Sequence, residues 1–267
     1  QSYELTAAYQ LIDRGTEYIK QGGENFKQYL SVQSRFPAIN PSNVLAIMMR
    51  NPNATAIYSA HYLQSHGYIY RASDKNNYIP MLQPRGTWEK DGKTGTNFQA
   101  VKYYDISQTD MPLPPPQVHP DIYQATTELL QIAGQKINML DEIKDGAMAL
   151  YDNENGKIHI LRGVDEKKLP ELYRELSKEI ALSFMDNGKD YNRANLEFPA
   201  KCVSYMLCQQ NNIKDNYKFN KLPEIFLSDE LSVIRDALKP IKDTAEDIYK
   251  KLYAIEKGRM MKNHEAR

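Results

Sequence analysis

The residues that come closest to a catalytic pattern lie between positions 171 and 178. Four apolar residues at four-residue intervals predict an amphipathic helix here: Leu172, Leu176, Ile180 and Phe184. On that helix Arg174 and Lys178 share one face, and Glu175 lies beside Arg174. Zinc peptidases use this spacing as His-Glu-x-x-His, where two neutral imidazoles bind the metal and the glutamate moves a proton of the bound water. Of this motif only the glutamate is present here. Arg174 and Lys178 take the places of the two histidines, and protonated side chains are not zinc ligands.

Taken alone, this spacing is also typical of an ordinary amphipathic helix with a charged solvent face. A metal site could instead be built from His119, His159 or Glu179, although no two of them have the spacing of metal ligands. The spacing of serine, cysteine, histidine and aspartate residues in the sequence does not indicate a Ser-His-Asp or Cys-His catalytic arrangement. Gly92 and Gly95 lack the strand-to-helix context of a phosphate-binding loop.

The charge balance of the 267-residue chain argues against wholesale electrostatic binding of nucleic acid. Lysine plus arginine and aspartate plus glutamate each number 34, so any basic patch must be local. Cys202 and Cys208 lie on different sides of a predicted helix, which predicts free thiols in a cytoplasmic protein. No apolar run approaches about 18 residues and no signal peptide is visible, so we expect no membrane association. Because the chain begins at Gln1 rather than methionine, the sequence leaves open whether residues upstream of Gln1 are missing.

The first part of the chain predicts helices followed by a small antiparallel sheet. Gly22-Gly23 and Gly67 end apolar helices, and Asn40-Pro41 is a favourable helix start. Strands are predicted at residues 68–70, 78–82 and 97–106, with a polar turn at 90–95. Basic and aromatic residues are mixed here, which is typical of platforms for single-stranded nucleic acid and also of a half-buried sheet with soluble edges. The binding candidates, which we expect to share one face, are Tyr70, Arg71, Lys75, Arg85, Trp88, Lys90, Lys93 and Lys102.

A proline-rich stretch at residues 111–120 predicts a stiff linker between a domain at 1–110 and a second domain at 121–267. The second domain is predicted to be helical with a β-hairpin at 146–161, which gives an α+β fold class for the whole chain. Its last helix carries an apolar stripe that either covers its own domain or binds a partner protein: Ile234, Leu238, Ile241, Ala245, Ile248 and Leu252.

Two motifs in the first domain resemble the ArdC/LtrC-type antirestriction family. Residues 36–55 (FPAINPSNVLAIMMRNPNAT) are similar to a family pattern that ends in NPdAT. Residues 101–109 (VKYYDISQT) are similar to its sheet-ending yDISQT. The resemblance implies an N-terminal domain that binds single-stranded DNA and a C-terminal domain with a zinc-metallopeptidase-like fold. It covers most of residues 1–110, and the order of elements in the second half matches as well.

This resemblance assigns three basic residues to the positions of the metal ligands. Arg174 and Lys178 stand in place of the two histidines, and Glu175 stands in place of the catalytic glutamate. Residues 200–205 (AKCVSY) resemble the family's AEsvAY, so Lys201 stands in place of the third ligand. We therefore expect no metal and no cofactor. A glutamate without its metal would be an unpaired charge, so we expect the three cations either to surround Glu175 as a salt-bridge cluster or to reach solvent.

The sequence thus predicts a non-catalytic relative of antirestriction proteins, encoded on a mobile genetic element. Its expected partners are single-stranded DNA, a protein, or both, and the expected process is antirestriction or conjugative transfer. The second domain would recognise a protein or only pack against the first. The alternatives are an active zinc metallopeptidase with a displaced site and a pure protein-interaction module.

Overall fold

The computed structural model describes residues 2–265, and the side chains of residues 2–261, so the question about Gln1 lies outside it. The chain divides into two compact units. The first comprises Gln1–Gln117 and Phe219–Arg235, and the second comprises Val118–Lys218 and Asp236–Arg267. This division differs from the predicted one at residues 219–235. Phe219 and Phe226 pack edge-on against the ring of Phe26, with centroids 5.6 Å and 5.2 Å away.

Helices of the first unit begin and end where the sequence provides caps. They are α1 Tyr3–Lys20, α2 Gly23–Arg35, α3 Pro41–Arg50 and α4 Ala60–Ser65. The side chain of Asn40 accepts from the amide of Asn43 at 3.0 Å, and Ser59 caps α4 in the same way. A Cβ on Gly23 would lie 1.8 Å from the carbonyl oxygen of Phe219, so the start of α2 requires glycine.

The sheet of the first unit has the order β1-β3-β2, in which both pairings are antiparallel. Its strands are β1 Ile57–Ser59, β2 Ile79–Lys90 and β3 Lys93–Asp105. β2 and β3 extend well beyond the predicted strands, and the turn between them is only Asp91-Gly92, where both residues have positive φ. The outer part of this hairpin, residues 84–99, is almost entirely exposed and is called the ribbon below.

Asp105 joins the two motifs that carried the family resemblance. Its buried carboxylate accepts hydrogen bonds from the amides of Thr55 at 2.7 Å and Ala56 at 3.2 Å. The end of β3 is thereby fixed to the loop that follows α3, because a buried carboxylate is stable only when its oxygens have partners.

The second unit combines helices with a three-stranded sheet of order β4-β6-β5. Its elements are α5 Ile122–Ala133, β4 Ile137–Leu140, β5 Ala149–Asp152, β6 Lys157–Leu161, α6 Leu169–Met185 and α7 Arg193–Gln210. The helix α8 spans Leu231–Glu265 and belongs to this unit from Asp236 onward. The predicted hairpin is confirmed as β5 and β6, whereas β4, which pairs in parallel with β6, was not predicted. The predicted α+β fold class is confirmed.

Several smaller predictions are also settled by burial. As predicted, Cys202 and Cys208 are free. Both are also buried, and burial raises the pKa of Cys208 to about 12. The apolar stripe of α8 is buried from Ile234 to Ile248, so it packs inside the protein. No helix in the described part of the chain has the length and apolar character that a membrane crossing requires.

Candidate functional site

The helices α6 and α7 pack side by side and bring the metal-ligand positions of the resemblance close together. Ser177 on α6 and Ser204 on α7 are both buried, and their hydroxyl oxygens lie 2.6 Å apart. The Ser204 hydroxyl also lies 2.9 Å from the carbonyl oxygen of Arg174, to which it donates. Small hydroxyl side chains at this contact let the two helices approach closely, which places Lys201 near the same face of the pair as Arg174 and Lys178.

Glu175 does not form the expected salt-bridge cluster, and that hypothesis is wrong. One of its carboxylate oxygens accepts hydrogen bonds from the backbone amides of Met148, at 2.7 Å, and Ala149, at 3.3 Å. Within the described residues, no lysine or arginine nitrogen lies within 4.0 Å of the carboxylate. The amides at the start of β5 thus stabilise one oxygen of this carboxylate without a cation beside it.

Two of the three cations donate to one segment of the chain, residues 213–218, which is called the covering segment below. The Arg174 guanidinium donates to the carbonyl of Lys214 at 2.9 Å, and the Lys201 ammonium donates to the carbonyl of Lys218. Tyr217 lies between these anchors, with its hydroxyl 2.7 Å from the Ser204 hydroxyl, and burial raises the pKa of Tyr217. The covering segment therefore lies across the positions that the resemblance assigns to the metal ligands.

The third cation belongs to an ion cluster that the sequence did not reveal. Lys178 bonds to Glu197 on α7 and lies 3.8 Å from the buried carboxylate of Glu179. Arg193 forms two hydrogen bonds to that carboxylate, at 2.9 Å and 2.6 Å, and this pairing raises the pKa of Arg193. The backbone amide of Tyr151 donates to the same group at 2.7 Å. No spacing rule links Glu179 with Arg193, because the two residues lie on different helices.

The residues considered for a displaced metal site are separate and already partnered, or lie in the exposed linker. His159 pairs with Asp152 at 3.3 Å and contacts Asn138 at 3.2 Å, while Glu179 is bound by Arg193. His119 is exposed in the stretch between the predicted domains. Among residues 2–265, no three His, Cys, Asp or Glu side chains are grouped so that they could bind a metal ion.

The nucleic-acid candidates do not share one face, because they occupy three places in the first unit. Trp88 lies opposite Gly95 and Lys90 opposite Lys93 in the β2–β3 register, so these side chains project from one face of the ribbon. The Trp88 ring covers Gly95, where an added Cβ would lie 2.5 Å from ring carbons. Trp88 nevertheless remains 43% exposed, which leaves ring surface available for stacking.

Lys102 and Arg85 lie apart from that face. Lys102 is an odd number of residues from Lys93 on β3 and therefore projects from the opposite side of the strand. Its ammonium lies 4.6 Å from the centre of the Tyr78 ring and 3.9 Å from Glu4. Arg85 is the extra residue of a register shift between Pro84 and Gly86 and is exposed.

Tyr70, Arg71 and Lys75 form the third group, beside an aromatic cleft. The Tyr70 ring stacks on the buried Tyr104 ring, with centroids 4.2 Å apart and planes 7° from parallel. Arg71 pairs with Asp74 at 2.8 Å, and Lys75 is exposed. Tyr70 and Lys75 line a cleft of about 760 Å³ that also borders α4.

These elements define a mixed α+β protein with the fold of ArdC-type antirestriction proteins. Two crystal structures of the antirestriction protein ArdC from plasmid R388 are similar to this chain, each at 15% sequence identity. The Mn(II)-bound structure has a TM-score of 0.58 over 92% of this chain and 97% of that chain. The metal-free structure has a TM-score of 0.52 over 80% of this chain and 85% of that chain. The expected resemblance is thus confirmed at the level of the fold.

No protein-family model matches the sequence, and no curated protein matches it. The Mn(II) of the similar structure can nevertheless be tested against the residues of this chain. Manganese prefers carboxylate, carbonyl and water ligands. The side chains at the positions implied by the resemblance, Arg174, Lys178 and Lys201, are cations engaged with other groups and do not fit a metal ion.

Proposed function

We propose that this protein is a non-catalytic, ArdC-like protein that binds single-stranded DNA through its first unit. Its cellular role would be antirestriction or conjugative transfer on behalf of a mobile genetic element, in the cytoplasm. The ArdC of plasmid R388 supports this setting through its shared fold. The observation that carries the proposal is the exposed face of the ribbon, where one aromatic ring and two lysines lie together.

The ribbon face has the chemistry that a single strand requires. Lys90 and Lys93 lie opposite each other beside the turn, and neither has a carboxylate within 4.0 Å in the described part of the chain. Trp88 projects from the same face two residues away from Lys90. A base can stack on the indole while the lysines contact phosphates on either side, a combination that binds single strands with little dependence on sequence.

The absence of catalysis is proposed from the chemistry of the second unit. Arg174, Lys178 and Lys201 cannot act as metal ligands while they are protonated, and each is already engaged with a carbonyl or carboxylate. Glu175 is bound to backbone amides rather than placed beside a water-activating cation. The second unit would then recognise a protein partner, although the buried stripe of α8 does not supply that surface.

Intrinsic fluorescence provides a direct test of DNA binding, because Trp88 is the one tryptophan of the chain. Titration with an unlabelled dT oligonucleotide at low salt is expected to quench its emission, and added salt is expected to reverse the quenching. The variant Lys90→Ala/Lys93→Ala should weaken binding at least tenfold. The matched variant Lys144→Ala/Lys189→Ala removes two exposed lysines from the second unit and should leave it unchanged. Unchanged anisotropy of a labelled oligonucleotide at low salt would refute the proposal.

Metal analysis tests the non-catalytic part of the proposal. We expect the purified protein, after dialysis against Zn(II) or Mn(II), to retain far less than one equivalent of either ion. We also expect no cleavage of a general protease substrate such as casein. A tightly held stoichiometric ion would contradict this expectation and would favour the alternative of a metallopeptidase with a displaced site.

A further inference from the structure

The aromatic cleft of the first unit is separate from the ribbon face and combines three different chemical groups. Its walls come from α4, from the segment 67–70 and from the 3-10 turn Ala72–Asp74 with the adjoining Lys75. Tyr70 provides an aromatic ring, Gln64 provides a side-chain amide, and Lys75 provides a cation. Its volume of about 760 Å³ lies within the range of roughly 300–1,000 Å³ that is typical of small-molecule sites.

The aromatic wall is held in place by several contacts. The ring of Tyr70 is stacked on Tyr104, which is buried and donates its hydroxyl proton to the carbonyl of Lys75 at 3.1 Å. The backbone around Tyr70 is held as well, since the amide of Ile69 donates to the Asp110 carboxylate and the amide of Arg71 donates to the carbonyl of Gln108. One face of the Tyr70 ring is covered by Tyr104, and the half-buried residue also lines the cleft.

The two polar groups of the cleft are available for a ligand. Within the described residues, the side-chain amide of Gln64 forms no hydrogen bond, and the ammonium of Lys75 has no carboxylate within 4.0 Å. Both residues are exposed. An amide can pair with the edge of a base as donor and acceptor, and an ammonium can contact a phosphate.

From this arrangement we infer that the cleft binds one nucleotide of a single strand, with its base on Tyr70, its base edge near Gln64 and its phosphate at Lys75. The inference deepens the proposed function and rests on it, because it assigns a second contact to the same strand. An apolar cleft without the amide and the cation would fit an aromatic side chain of a protein equally well. The free ammonium of Lys75 favours a ligand with a negative charge next to a planar ring.

Nuclear magnetic resonance on the full chain separates this site from the ribbon. Titration with thymidine monophosphate is expected to shift the backbone amide signals of Gly67, Tyr70 and Ala72 and to leave the indole signal of Trp88 in place. Thymidine without its phosphate should bind more weakly, and inorganic phosphate alone should produce no saturable shift. Saturable shifts with N-acetyl-tyrosinamide but not with thymidine monophosphate would overturn the inference and assign the cleft to a protein partner.

Variants then connect the cleft with binding of the strand. Tyr70→Leu keeps apolar volume but removes the stacking ring. We expect roughly tenfold weaker oligonucleotide binding, since stacking of one base on an aromatic ring contributes about a factor of ten in affinity. Tyr123→Leu, at an exposed tyrosine on α5, is the control and should have no effect. Because Tyr70→Leu could disturb packing on Tyr104, Lys75→Gln and Gln64→Ala provide tests at exposed positions, and each should weaken binding about threefold or more.

The outcomes distinguish this inference from the proposed function. If all three cleft variants bind the oligonucleotide as the unaltered protein does while Lys90→Ala/Lys93→Ala does not, the cleft inference is wrong and the proposed function stands. If the unaltered protein binds no oligonucleotide at low salt but thymidine monophosphate still shifts the cleft signals, the proposed function is wrong. The cleft would then be a site for a free nucleotide and not for a strand, which also overturns the inference as stated.

Discussion

Glu175 accepts two hydrogen bonds from the backbone amides that begin β5, and this contact ties α6 to the sheet of the second unit. Both hydrogen bonds reach the same carboxylate oxygen, Oε2, whereas a glutamate that activates water directs an oxygen toward the metal-bound water. A glutamate at this helical position can therefore either activate water or hold the helix against the sheet. The groups that it contacts distinguish the two roles. In the described structure, the hydrogen bonds of Glu175 join α6 to the start of β5.

Substitutions at Glu175 should therefore change stability. Glu175→Ala leaves two partly buried amides without an acceptor and is expected to lower the free energy of unfolding by about 1–3 kcal/mol. Glu175→Gln retains one carbonyl oxygen and should cost less. Urea unfolding followed by circular dichroism measures both, with Glu171→Ala at an exposed position of the same helix as the control. Equal stability of Glu175→Ala and the unaltered protein would show that these hydrogen bonds contribute nothing.

Tyr104 predicts a pH dependence of stability. Burial raises the pKa of Tyr104 to about 12, so the folded protein keeps this phenolic proton at pH values where the unfolded chain loses it. The stabilisation is complete below pH 10 and is lost as the pH rises from about 10 to about 12. Urea midpoints measured across this range should fall, and Tyr104→Phe should reduce the fall without abolishing it, because the pKa of Tyr151 is also raised to about 12. Tyr123→Phe should leave the fall unchanged.

The β2–β3 hairpin is the element where sequence and structure differ most. The sequence predicted strands at 78–82 and 97–106 and a polar turn at 90–95, whereas paired strand continues to Lys90 and resumes at Lys93. Residues 84–99 are mostly exposed on both faces, so the alternation of apolar and polar residues that indicates a strand is missing. The helices were predictable because their buried faces and their caps are both local features of the sequence.

Gly95 should control the position of Trp88 on the ribbon. Gly95→Ala places a methyl group 2.5 Å from ring carbons, so the indole must move away from β3 and toward solvent. We expect the emission maximum to shift to longer wavelength and oligonucleotide affinity to fall several-fold. Thr96→Ala, at the next residue on the opposite face, serves as the control. Identical emission spectra for Gly95→Ala and the unaltered protein would contradict the described packing.

At the scale of the whole molecule, long-range contacts determine the extent of the two units and the partners of the site residues, which the sequence did not predict. The assignment of residues 219–235 to the first unit depends on Phe219 and Phe226 meeting Phe26, which lies almost 200 positions earlier. Likewise, the partners of Arg174 and Lys201 come from the covering segment, whose sequence carries no motif. The sequence pointed to residues of α6 and α7 but not to the groups they contact, because hydrogen-bond partners depend on tertiary placement.

The neutral net charge of the chain makes a prediction about salt dependence. With 34 basic and 34 acidic residues, attraction to a single strand must come from local contacts, so few phosphates should be engaged. Each phosphate contact to a single strand contributes about 0.7 to the slope of log affinity against log salt. Removing Lys90 and Lys93 should therefore reduce the magnitude of this slope by about 1.4. The variant Lys144→Ala/Lys189→Ala should leave the slope unchanged. A slope unaffected by the ribbon variant would place the phosphate contacts elsewhere.

The covering segment also bears on whether a metal-ligand set could be built at Arg174, Lys178 and Lys201. Replacing Arg174 and Lys178 with histidine and Lys201 with glutamate would introduce three donor side chains, but it would also remove both anchors that now bind the carbonyls of Lys214 and Lys218. Tyr217 would still occupy the space between the helices through its contact with Ser204. A metal site at these positions would thus require remodelling of the covering segment in addition to three substitutions, so single mutational steps would not create one.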